Sequence, residues 1–190
     1  MSGGVDVYGN LLDSTQAYSG SLGWVSYPSL PIAKTWHCQV TVGRAVYVIA
    51  GIDGNLKSSN SVFSLSDKQK HWKQEKSLPV STHDLACAVM GTKIYVMGGY
   101  GMEGQLSSVY ILDTSIPGSS WQTGPQLPES RVGALAFVHD NKVYLLGGDS
   151  SDSVLTLGPD AKSWTEVGRV WASRQTFPAP LISRDSMHCK

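Results

Sequence analysis

Lys93-Ile94-Tyr95-Val96-Met97-Gly98-Gly99 decides how the chain is read. It is a short apolar run of strand-forming residues that stops at a pair of glycines. The pattern recurs as Lys142-Val143-Tyr144-Leu145-Leu146-Gly147-Gly148 and, earlier, as Ala45-Val46-Tyr47-Val48-Ile49-Ala50-Gly51. The closing glycines Gly51, Gly99 and Gly148 lie 48 and 49 residues apart. A fixed period of roughly 20–50 residues marks a repeat protein and outranks any local motif.

A second marker keeps step with the first. Trp24, Trp72, Trp121 and Trp164 each precede an apolar pair: Leu30-Pro31, Leu78-Pro79, Leu127-Pro128 and the variant Val170-Trp171. The first three tryptophans each stand 27 residues before the next closing glycine, whereas the step from glycine to tryptophan varies over 21, 22 and 16 residues. Part of the unit is therefore rigid and part tolerates length change. Gly3 stands 21 residues before Trp24, so the sequence is expected to begin inside a repeat.

Each unit reads as four short strands, A to D. For the central unit these are about 85–90, 93–98, 108–113 and 120–124. Gly91-Thr92 and Asp140-Asn141 supply tight A–B turns, because glycine and Asx residues tolerate positive φ. The runs are short, rich in Val, Ile, Tyr, Leu and Ala, and closed by glycine, which favours strands over buried helices.

Strand, diglycine, variable loop, strand, Trp and Leu-Pro together resemble the kelch repeat, one blade of a β-propeller. The resemblance implies an all-β fold of four-stranded antiparallel blades in a single domain over 1–190. The expected partition is a partial blade at 1–31, blades at about 32–79, 80–128 and 129–171, and a partial blade at 172–190. Gly51, Gly98, Gly99, Gly147 and Gly148, with the four tryptophans, are the structural repeat positions. Ala50 and Val170-Trp171 depart from the pattern, and the segment before Ser14 matches it poorly. Kelch propellers usually have six or seven blades, so about four favour an arc open at both ends over a four-bladed ring. Open ends expose strand edges, which promote self-association.

Composition excludes several classes. Fifteen basic and fifteen acidic residues balance to zero formal charge, so no basic surface for nucleic acid is expected. No apolar run approaches the ~20 residues of a membrane span, and the N-terminus lacks signal-peptide regions. Three cysteines, an odd number, read as buried thiols in a reducing, cytoplasmic compartment rather than as a Cys38–Cys87 disulfide.

Few residues read as chemistry. Gly99-Tyr100-Gly101-Met102-Glu103-Gly104 matches the dinucleotide fingerprint letter by letter, but the strand after it offers no helix N-terminus to a pyrophosphate, so a flexible B–C loop is expected. None of His37, His71, His83, His139 and His188 has metal-type spacing to another ligand. No catalytic residue, metal or cofactor is assigned.

In a meander the B–C and D–A connections share one end. Lys34, Thr82, Arg131 and Arg174 each stand 10 residues after a tryptophan, so they are expected on that rim, with Tyr100, Met102 and Trp171 nearby. An arginine and aromatic surface suits protein recognition. These residues are the candidate site for an acidic peptide or loop; the rival reading has the arginines bonding carbonyls within the blade. By resemblance, such domains often recruit substrates to ubiquitin ligases or bind actin. The alternative is a kelch enzyme acting on a sugar, mutarotase or oxidase-like.

Overall fold

The computed structural model describes residues 1–170 apart from 68 and 150, so Arg174, Trp171 and the expected partial blade at 172–190 lie outside the described residues. Among those described there is no helix. The first strands, β1 (Thr15–Ser19) and β2 (Gly23–Tyr27), form an antiparallel pair. Met1 extends it by exchanging two 2.8 Å hydrogen bonds with Gln16. Gly3 and Gly4, with φ of 64° and 109°, then turn as Gly98 and Gly99 do at 63° and 96°. The segment before Ser14 thus carries the repeat's diglycine, which the weak match in sequence had hidden.

Three four-stranded antiparallel sheets follow. After the short β3 (Lys34–Thr35) come β4 (Cys38–Val42), β5 (Ala45–Ile49), the two-residue β6 (Ile52–Asp53), β7 (Val62–Ser66) and β8 (Lys73–Gln74), with sheet order β4-β5-β7-β8. The next sheet holds β9 (Ala86–Met90), β10 (Lys93–Met97), β13 (Val109–Asp113) and β14 (Gln122–Thr123). Between its second and third strands lies a hairpin, β11 (Tyr100–Gly101) and β12 (Gly104–Gln105). The last sheet is β15 (Leu135–His139), β16 (Lys142–Leu146), β17 (Ser153–Leu157) and β18 (Thr165–Arg169), in that order. Each is the expected A-B-C-D meander. Positive φ at Gly91, Asp140 and Asn141 matches the A–B turn chemistry. The glycine-rich Gly99–Gly104 stretch corrects one expectation: it is a paired hairpin, not a flexible loop.

The core lies between sheets. One cluster joins Leu30, Val48, Phe63, Leu65 and Trp72; a second joins Ile49, Val62 and Leu78 to Ile94, Val96 and Trp121; a third joins Tyr95, Met97 and Leu127 to Val143, Leu145 and Trp164. Strand β9 lies against both β4 and β15, so the A strands run side by side. There Cys38 and Cys87 form a disulfide, with Cα atoms 6.2 Å apart, a span such a bond reaches. This overturns the expectation of free thiols at these two positions; Cys189 lies outside the described residues.

Two repeated contacts fix how sheets meet. The indole N–H groups of Trp72, Trp121 and Trp164 donate to the carbonyls of Pro28, Lys76 and Pro125, at 2.8, 2.9 and 2.8 Å. Each acceptor stands four residues after the preceding repeat's tryptophan. Likewise the amides of Gly4, Gly51 and Gly99 donate to Lys34, Thr82 and Arg131 at 2.7, 2.9 and 2.7 Å. A Cβ on Gly51 would lie 2.6 Å from the Thr35 carbonyl oxygen, and one on Gly98 would collide with that of Arg131. Close backbone approach, added to positive φ, is why glycine recurs there.

Candidate functional site

The B–C and D–A connections do share one end, but among the described residues the expected basic rim does not form. Lys34, Thr82 and Arg131 are 0%, 1% and 1% exposed. The Lys34 ammonium donates to the Ala50 carbonyl at 3.0 Å, and the Arg131 guanidinium to the Gly147 carbonyl at 2.6 Å. Each acceptor is 16 residues on, at the first position of the diglycine. Arg131 also bonds the Ser153 carbonyl at 3.3 Å, the Ser153 hydroxyl, and Glu129 at 2.8 Å. The physical reason is the diglycine contact: it draws the D–A backbone under the preceding sheet, and the long cationic side chains turn inward to satisfy strand-end carbonyls. Lys34 and Arg131 are thus internal braces, and Thr82 at the same position is buried. Arg174 lies outside the described residues.

Aromatic groups face outward instead. Tyr100 is 44% exposed and Met102, at the tip of the β11–β12 hairpin, 93%. Trp36, which is not among the residues expected from the sequence, is 59% exposed. It stacks on His83 with ring centroids 5.6 Å apart and planes at 24°, and His83 lies 5.6 Å from the Tyr100 ring. Backbone bonds pin the row: His83 and Tyr100 exchange two, at 3.1 and 2.8 Å. The imidazole shares a 2.8 Å hydrogen bond with the Ser58 hydroxyl.

Trp36 holds φ at 49°, in the left-handed region. Its repeat equivalents Asp84 and Gly133 hold 52° and 63°. The Asp84 amide donates to the Trp36 carbonyl at 2.9 Å, and the Gly133 amide to the Asp84 carbonyl at 2.8 Å. The scaffold thus forces a conformation that costs a bulky residue roughly 1–3 kcal/mol, and such strain clusters at functional sites. A signal existed in sequence, since Trp36 aligns with a glycine two repeats on.

The ionisable groups of this end are mainly acidic. Asp53, Asp84, Glu103 and Asp149 sit in its connections, with Lys57 as an exposed cation. Burial raises the Asp84 carboxyl above its usual range; His83 opposes this and Asp149 reinforces it. Among the described residues no group of three or more His, Cys, Asp or Glu could hold a metal.

His37, beside the diglycine, is held neutral. Burial, followed by the charge of Lys34, lowers its pKa to about 4, and Nδ1 is buried without a partner. The unfolded chain therefore binds a proton near pH 6.5 that the folded protein refuses until about 4. Stability should fall as pH drops through that window, by roughly 3 kcal/mol at most for this group. Denaturation at pH 7 and pH 4.5 should show a smaller acid loss in His37→Gln than in the parent; equal losses would remove His37 from the account.

The comparisons with known proteins agree with this architecture. The KLHDC2/KLHL20/DRC7 Kelch-repeats domain model matches residues 23–181. The chain belongs to the kelch-repeat family. Among curated kelch relatives, an F-box/kelch-repeat protein of Arabidopsis thaliana is 33% identical over 134 residues, covering 68% of this chain and 35% of the relative. The human Kelch repeat and BTB domain-containing protein 12 is 25% identical over 85% of this chain and 30% of its own length. The chain thus spans about a third of these relatives. The solved structure of YjhT superimposes with a TM-score of 0.77 at 14% identity, covering 91% of this chain and 67% of that one, and shares the fold.

Proposed function

We propose that this kelch chain is a non-enzymatic protein-binding module that works through its B–C/D–A face. The observation that carries the reading is the exposed Trp36–His83–Tyr100 row, held by backbone bonds on a rigid scaffold. Aromatic anchors of low conformational freedom on loops are what protein recognition uses. The relatives' names join kelch repeats to F-box or BTB modules, which supports recruitment to a ubiquitin ligase ahead of cytoskeletal binding. An acidic partner rested on Lys34, Thr82 and Arg131, and their burial removes its support. An axial funnel lined by Arg with Glu or Asp would favour the sugar-enzyme alternative; Arg131 and Glu129 lend it no support, being spent on carbonyls and serines. A cytoplasmic home fits less well with the Cys38–Cys87 disulfide.

The test is capture of a partner by purified protein. Trp36→Ala with Tyr100→Ala should abolish capture while shifting the melting temperature by only a few degrees, since Trp36 is mostly and Tyr100 nearly half exposed. Thr92→Ala with Asn141→Gly, on the opposite turns, should retain it. The reverse pattern would place binding on the other end.

A further inference from the structure

Resting on that reading, we infer that the partner segment seated on this face is cationic: an arginine- or lysine-bearing stretch packed over the Trp36–His83–Tyr100 rings, its charge facing Asp84 and Asp149. Two independent features meet here. The first is the ring row, whose faces are electronegative and attract ammonium and guanidinium groups. Its outermost member, Trp36, has one side occupied by His83 and is otherwise open to solvent.

The second is unspent negative charge. Among the described residues, Asp53, Asp84, Glu103 and Asp149 take part in none of the ion pairs; the two at this end are Arg131 with Glu129 and Arg169 with Asp152. Asp149 accepts only a 3.3 Å bond from Gln105, which itself ties neighbouring loops of this end together. The two buried cations of this end are committed to backbone, Lys34 to Ala50 and Arg131 to Gly147, and Arg131 is further neutralised by Glu129. Among the described residues, Lys57 is the exposed cation left without a carboxylate partner at this end, since the exposed Arg169 is held by Asp152 and Glu166. Like charge across an interface is strongly penalised, so an acidic segment is disfavoured where a basic one gains both ring contact and charge. Arginine fits best, because its flat guanidinium stacks on indole while its edge reaches a carboxylate.

The probe is a fluorescein-labelled peptide of Gly, Ser and Arg with three arginines, compared with its citrulline and glutamate counterparts by fluorescence anisotropy at low salt. Cation–ring and surface ion-pair strengths lead to an arginine peptide bound roughly five- to thirtyfold tighter than the citrulline one. Asp84→Asn and Trp36→Ala should each lower its affinity about fivefold, with folding verified by melting. Equal binding of the arginine and citrulline peptides, or an undiminished affinity in Asp84→Asn, would overturn the inference. If Trp36→Ala with Tyr100→Ala still abolishes partner capture in that case, the face stands and only its charge preference falls. If the double variant keeps its partner, the face itself was misassigned.

Discussion

Arg131→Glu is expected to unfold the protein, not to produce a folded protein that has lost its partner. The guanidinium is 1% exposed and donates to the Gly147 and Ser153 carbonyls, the Ser153 hydroxyl and Glu129. A glutamate there would set a carboxylate against two carbonyl oxygens and a second carboxylate. Leaving the buried carbonyls unpaired costs about 1–3 kcal/mol, and a carboxylate buried against them adds several kcal/mol more, a large share of the ~5–15 kcal/mol that holds a domain together. Arg131→Met, similar in length but neutral, leaves the carbonyls unpaired without adding charge and should cost less, about 1–3 kcal/mol. Urea denaturation ranks the three proteins. An Arg131→Glu variant as stable as the parent would show that the brace contributes nothing.

Trp121→Ala should cost about 3–5 kcal/mol, the range for a buried tryptophan. Its ring is 8% exposed and packs with Ile49, Leu78, Ile94 and Leu112 between two sheets, and its N–H satisfies the Lys76 carbonyl at 2.9 Å. The same substitution at Trp24 is the internal control. Trp24 occupies the same repeat position yet is 60% exposed, its ring set edge-on to Tyr18 at 5.6 Å, so its loss should stay within about 1 kcal/mol. Similar losses at both sites would mean that the tryptophans act through their own sheets. A loss under 1 kcal/mol at Trp121 would overturn the joint between sheets.

Strand lengths, turns and sheet order were legible in the chain, because each is a local matter. An apolar run of about six residues closed by glycine has few alternatives, and Asp140-Asn141 suits a tight turn through its own backbone preferences. The period also placed Lys34, Thr82 and Arg131 at one structural position. Whether that position faces water was not legible. It depends on the amide of a glycine about 31 residues earlier drawing the segment beneath the preceding sheet, and on carbonyls 16 residues later needing donors. The same limit hid Trp36: its left-handed backbone is fixed by a bond from Asp84, a whole repeat away. It also misled on the cysteines, since the pairing of Cys38 with Cys87 follows from β4 and β9 lying side by side. Repetition specifies which residues are equivalent. Burial and charge exposure arise between repeats, from contacts that no single unit encodes.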